Sequence, residues 1–213
     1  MPQLRRAASF LATALLLMVP LASARSESEN VIPAPPAVVG PIEALDQGLI
    51  EIMKAGRGTP FQQRAATLAP VIERALDLPE ILKFSVGLGW SSLTPEQQTT
   101  LLAAFRRYTI ASYVDNFDNY NGQRFTIDPT VRVLPDRREV VSTRIIPQTG
   151  TPHTLDYIMH RTPDGWKVVD VLADGSISRV AVQRSDFNAT FSRGGAPALE
   201  ASLQEKTEAL SHG

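Results

Sequence analysis

Apolar residues recur at two periods in this chain, and the change of period divides it. Val38, Ile42, Leu45, Leu49, Ile52 and Met53 fall at three- and four-residue steps, one face of a helix that Gly56-Arg57-Gly58 ends. Phe61, Ala65, Leu68, Ile72 and Leu76 repeat the spacing in a second helix. Leu78-Pro79-Glu80 opens a short third, ended by Gly87 and Gly89. Thr94-Pro95-Glu96-Gln97 combines an N-cap threonine, a proline at the first helical position and a glutamine where a capping box wants it. A fourth helix therefore starts there and runs to about Asn116. Its apolar residues, Leu101, Leu102, Phe105, Tyr108, Ile110, Tyr113 and Phe117, make a wide aromatic stripe.

The pattern then turns to strands. Val140 to Ile146, Thr154 to His160 and Trp166 to Leu172 are rich in β-branched and aromatic residues and bounded by turn residues. Pro147 to Pro152 closes the first hairpin and Pro163-Asp164-Gly165 the second, with proline presetting φ and glycine accepting a positive one. Phe125-Thr126-Ile127 and Val131-Arg132-Val133 supply two shorter segments before them. After the sheet, Ser178 to Phe191 reads as helical and Gly194-Gly195 interrupts. Ala196, Leu199, Leu203 and Leu210 mark a final amphipathic helix. Helices, an antiparallel meander and helices again make an α+β fold with its elements segregated along the chain.

The N-terminus reads differently. Arg5 and Arg6 precede an apolar run from Phe10 to Leu21, and Ala22-Ser23-Ala24 offers a small-x-small cleavage site. Residues 1–24 are expected to be a signal peptide, cleaved after Ala24; an uncleaved anchor is the alternative. Residues 25–36, rich in Ser, Glu, Asn and Pro, read as a disordered linker, and 37–211 as the folded domain.

Composition narrows the function. The 213 residues are 43% hydrophobic and 20% charged, with a net charge of −1, which gives no general attraction to nucleic acid. The absence of cysteine excludes disulfides, thiolate chemistry and a lipid-modified cysteine. His153, His160 and His212 lack ligand spacing, and no nucleophile elbow, phosphate loop or dinucleotide fingerprint occurs. Asp156, Asp170 and Asp174, with Tyr157 nearby, are the candidate acid/base residues, since sheets of this kind can hold an Asp base in an apolar cavity. The plainer reading pairs Asp156 with Arg144 across the hairpin and gives Asp170 to backbone at a strand end. No catalytic set or cofactor is expected.

The run from Asp164 to Ser178, with Gly165-Trp166-Lys167-Val168-Val169-Asp170-Val171 and then Asp174-Gly175-Ser176-Ile177-Ser178, resembles the MlaC family of periplasmic phospholipid-binding proteins. Val141 to Ile146, Gly150-Thr151-Pro152, Leu155-Asp156-Tyr157, Arg184-Ser185-Asp186-Phe187 and Gly194-Gly195 follow the same family's course. The wording from Asp174 to Phe187 is most similar to the HpnM branch, associated with hopanoid biosynthesis. The resemblance implies a twisted antiparallel sheet of the NTF2-like type wrapped by N- and C-terminal helices. It also implies a non-enzymatic carrier of phospholipid or hopanoid, with an inner-membrane transporter and an outer-membrane complex as partners. A non-catalytic adaptor of such a complex, or an NTF2-like enzyme using Asp156 or Asp170, are the competing readings.

For a carrier the cavity wall can be assigned from strand alternation. Leu155, Tyr157 and Met159 share one face, Val141, Thr143 and Ile145 the matching face of the neighbouring strand, and Val168 and Leu172 the third. Leu102, Phe105, Tyr108, Tyr113 and Phe117 would face them from the long helix. The same residues would equally build a filled core; spacing does not separate the two.

Overall fold

The computed structural model describes residues 30–212. The signal-peptide assignment and residues 25–29 lie outside the described residues.

A six-stranded, wholly antiparallel sheet runs in chain order, β1 to β6. Its main strands are β2 (Arg124–Val133), β3 (Glu139–Ile146), β4 (His153–Thr162) and β5 (Gly165–Ala173). The short strands β1 (Asn30–Pro33) and β6 (Ile177–Ser178) flank them. Helices α1 (Pro36–Ala55), α2 (Phe61–Ala75), α3 (Leu78–Val86) and α4 (Pro95–Asn116) precede the meander, and α5 (Arg179–His212) follows it, broken by non-helical backbone at Gly194 and Gly195. One face of the sheet packs on the helices through a continuous core that includes Val141, Tyr157, Met159 and Val168. The opposite face holds a small cluster of Val140, Ile158 and Val169, with Leu134 and Leu172 against it.

Two expectations are corrected here. Residues 30–33, read as linker, form β1, which pairs Ile32 with Val131 and Pro33 with Thr130. Four residues ending in proline carry too little pattern to be seen in sequence, and an edge position tolerates the missing N–H. The segments Phe125–Ile127 and Val131–Val133 belong to one strand, β2, whose register slips between Ile127 and Val131. Pro129 lies in the slip; it has no N–H for the ladder, while its carbonyl accepts from the Ala34 N–H at 2.9 Å.

A further register shift controls the helix side of the sheet. Ile158 of β4 lies opposite Asp170, and Met159 opposite Val168, so Val169 and Asp170 together face one residue. The extra residue reverses the parity of β5 beyond it. Val168 faces the helices, as alternation predicts, but Leu172 turns to the outer face and Val171 and Ala173 turn inward. The assignment of Leu172 to the helix-facing wall is therefore overturned.

Backbone joins helices to sheet at the same strand. The Asp77 N–H donates to the Val168 carbonyl at 2.9 Å, and Leu76 makes a bridge to Val168. Asp77 also caps α3 by accepting from the Glu80 N–H and lies 2.8 Å from His160 Nε2. Val168 is 0% exposed. Val168→Trp should overpack this junction and lower stability by roughly 1–3 kcal/mol or more, read as a fall in the urea midpoint.

Candidate lipid-binding cavity

Helix α4 is built to hold one face rigidly. Thr94 Oγ accepts from the Gln97 N–H at 3.2 Å and the Gln97 side chain accepts from the Thr94 N–H at 3.0 Å, completing the capping box. Along the helix, Phe105, Tyr108, Thr109, Ser112, Tyr113 and Asn116 follow steps of three, one, three, one and three, so they share a side. That side lines a cavity of about 330 Å³.

The floor is Ile145 of β3, Leu155 and Tyr157 of β4, and Val171 and Ala173 of β5. Leu155 pairs with Ala173 and Tyr157 with Val171, so two rungs of the ladder form most of it. Leu76, Leu78 and Ile81, and Arg179, Val180 and Gln183 from the start of α5, complete the lining together with Asp170. Phe117, just past α4, is within 6.2 Å of both Tyr113 and Phe125, ring centre to ring centre, and continues the aromatic wall.

Seven of the sequence-assigned wall residues meet at this space: Phe105, Tyr108, Tyr113, Phe117, Ile145, Leu155 and Tyr157. Leu102 packs half-buried on the core one turn before Phe105, outside the lining. Val141, Met159 and Val168 are buried in filled core next to the cavity, and Leu172 is on the outer face. Helical spacing from Phe105 could have added Thr109, Ser112 and Asn116. Val171 and Ala173 could not be assigned without the bulge, nor Leu76, Leu78 and Ile81 without the backbone tie at Val168.

The candidate acids have structural partners. Asp156 pairs with Arg132 at 2.9 Å and not with Arg144, which reaches Asp128 at 3.3 Å; this corrects the expected pair. Arg144 stands opposite Thr154 in the ladder, whereas Asp156 stands opposite Ser142. Asp170 accepts from the Val180 N–H at 3.1 Å, from its neighbour Val171 N–H, and from the Ser178 hydroxyl. Ser178 in turn accepts from the Ala181 N–H at 2.9 Å, capping α5. Asp174 and Gly175 make the intervening turn with φ of 49° and 71°. The two ends of the Asp170-to-Ser178 motif thus tie β5 to α5. Asp170→Ala should cost roughly 1–3 kcal/mol by uncapping α5, measured by urea denaturation with far-UV circular dichroism.

One polar residue near the cavity was missed. Asp46 lies among the apolar positions of α1 and is 8% exposed. Its Oδ1 has no hydrogen-bond partner among the described residues. Burial, aided by the nearby Glu43 carboxylate, pushes its pKa up to about 7. Burial likewise pushes Tyr113 up to about 12, with Arg179 opposing and Asp46 adding to the rise. Tyr157 is raised by burial, then by Tyr113 and Asp46. Asp46 is therefore within electrostatic reach of the two tyrosines of the wall. An aspartate inside an otherwise apolar 42/45/46/49 face was the available signal.

The folded protein binds the Asp46 proton more tightly than the unfolded chain does. Its contribution is thus most favourable below about pH 4 and is lost as pH rises through about 7. Asp46→Asn should remove that dependence. At pH 8 it should be more stable than wild type by on the order of 3 kcal/mol, with the gap closing towards pH 4, in paired thermal melts.

Among the described residues no group of His, Asp and Glu is disposed to hold a metal ion. Two comparisons bear on the cavity. The family model for MlaC protein matches residues 43–205. Among solved structures, a phospholipid-binding protein from Ralstonia solanacearum, determined in complex with a phospholipid, is 27% identical; the match covers 81% of this chain and 97% of that one, with a TM-score of 0.70.

Proposed function

The chain belongs to the MlaC family, and from that premise we propose that it is a non-enzymatic periplasmic carrier that holds phospholipid tails in the cavity between sheet and helices. The observation that carries this reading is the unfilled apolar space bounded by α4, the start of α5 and the floor of β3 to β5. Two acyl chains hold roughly 30 methylenes, and exposing them to water costs about 24 kcal/mol at ~0.8 kcal/mol each. A carrier must therefore offer a surface as dry as the bilayer it extracts from. Transfer is then close to neutral, so the cargo can also be released, and no chemical step is needed.

About 330 Å³ is at the small end of ligand sites, which run from ~300 to ~1,000 Å³. The half-buried rings of Tyr108, Tyr113 and Phe117 are the groups that turn aside to admit longer tails. In this reading the domain proposed for 37–211 is exported by a signal peptide cleaved after Ala24. It shuttles lipid between an inner-membrane transporter and an outer-membrane acceptor. Membership of the hopanoid-associated branch would make a hopanoid the cargo in place of phospholipid.

Native mass spectrometry of the mature protein purified from periplasm should show a bound lipid and identify its class. Ala173→Trp, which adds an indole to the floor of the cavity, should abolish that lipid while leaving the melting temperature nearly unchanged. A wild-type protein that carries no lipid and acquires none from vesicles would overturn the reading.

A further inference from the structure

Most hydroxyls of the cavity wall already have an acceptor or water within reach. The Ser112 hydroxyl donates to the Tyr108 carbonyl at 2.8 Å. The Tyr157 hydroxyl has Thr143 as a neighbour. The Tyr108 ring lies under the ammonium of the exposed Lys206, 6.0 Å away, where water can serve its hydroxyl. Tyr113 differs. Its hydroxyl has no hydrogen-bond partner among the described residues. Arg179 and Asp46 are within electrostatic reach of it, yet neither bonds to it.

The ring is held in place. Tyr113 stacks on Phe117, with 6.1 Å between ring centres and 16° between planes, and Phe117 leans on Phe125 of β2. Burial pushes the Tyr113 hydroxyl up to about 12, so it keeps its proton and remains a donor at neutral pH. Thr109, one turn earlier on the same side of α4, also has an unpartnered hydroxyl, but its oxygen is covered even from the cavity. The Tyr113 oxygen is not covered in that way, so it is the donor that cargo can reach. A donor kept in an apolar wall without an acceptor costs free energy, and an acceptor that arrives with the cargo returns it.

Resting on the carrier reading, we infer that the Tyr113 hydroxyl donates to an ester carbonyl of the bound lipid, so that the cavity favours tails joined through an ester over the same tails joined through an ether. A neutral donor among apolar side chains suits a neutral acceptor, because an anion would have to be stripped of water at far greater cost. The ester carbonyl is the neutral acceptor fixed to the head of each acyl tail, and it enters an apolar chamber with that tail. An ether keeps the tail and the head group and lacks the carbonyl. Tyr113 is thus a specificity-determining residue for the linkage, whatever the head group carries.

The test offers the mature protein vesicles made of equal parts dioleoyl phosphatidylcholine and its dioleyl ether analogue, which share head group and tail length. Bound lipids are counted by native mass spectrometry, which separates the two by mass. Wild type should favour the diester about fivefold, the equivalent of one neutral hydrogen bond. Tyr113→Phe keeps the ring and its stacking, and should take up both lipids with no preference. Tyr120→Phe, which removes a hydroxyl outside the lining, should behave as wild type. Infrared spectra give a second readout: the ester carbonyl band of bound diester should lie at lower frequency in wild type than in Tyr113→Phe. Equal uptake of the two lipids by wild type, an unchanged preference or loss of all lipid in Tyr113→Phe, or an unmoved carbonyl band would each overturn this inference and leave the carrier reading standing. Uptake of neither lipid by wild type would overturn both.

Discussion

A single extra residue in β5 decides what faces the helices. With Val169 and Asp170 sharing one partner on β4, every side chain beyond them changes face. Val171 and Ala173 become floor, Leu172 leaves for the outer cluster, and Asp170 is placed where it can reach α5. A regular strand would instead have aimed Leu172 inward, with the short Ala173 outside. The small floor residues matter because a cavity exists only where facing side chains fail to meet. Ala173 opposite the half-buried wall of α4 leaves that gap.

The gap stays open because its walls are fixed from outside. The capping box holds the start of α4, and an edge-to-face contact between Phe105 and Phe187 joins α4 to α5. Asp170 and Ser178 tie α5 to β5, and the Asp77 N–H ties the α2–α3 junction to the same strand. Each tie is a directional hydrogen bond or ring contact at the cavity's border, so the helices cannot settle onto the floor without breaking one. Apolar surfaces that would otherwise close on each other are thereby held apart, at a cost in burial that a bound tail would repay.

Asp46 belongs to the same economy of unfinished contacts. A buried carboxyl with an orphan oxygen weakens the fold wherever it is ionised. Thr109 also has a buried hydroxyl without a partner among the described residues, and it lines the cavity. Unsatisfied buried polar atoms thus occur both on the cavity wall, at Thr109, and within the apolar face of α1, at Asp46.

The amino-acid pattern by itself determined the element order. Helical spacing from Val38 to Leu76, the Thr94 cap and the turn residues around β3 to β5 each act through neighbours within a few positions. Such signals survive without tertiary context. For the same reason α4 supplied Phe105, Tyr108 and Tyr113, and undisturbed alternation supplied Ile145, Leu155 and Tyr157. Tertiary structure alone decided the rest. The β5 bulge depends on what β4 offers as a partner, β1 on an edge waiting 100 residues away at Val131, and the partner of Asp156 on which arginine the twisted sheet brings over it. Whether the assigned residues fill a core or line a space was likewise beyond periodicity. Periodicity records which face a side chain takes, whereas a cavity depends on the distance to the opposite wall, and that distance is set by ties between residues far apart in the chain.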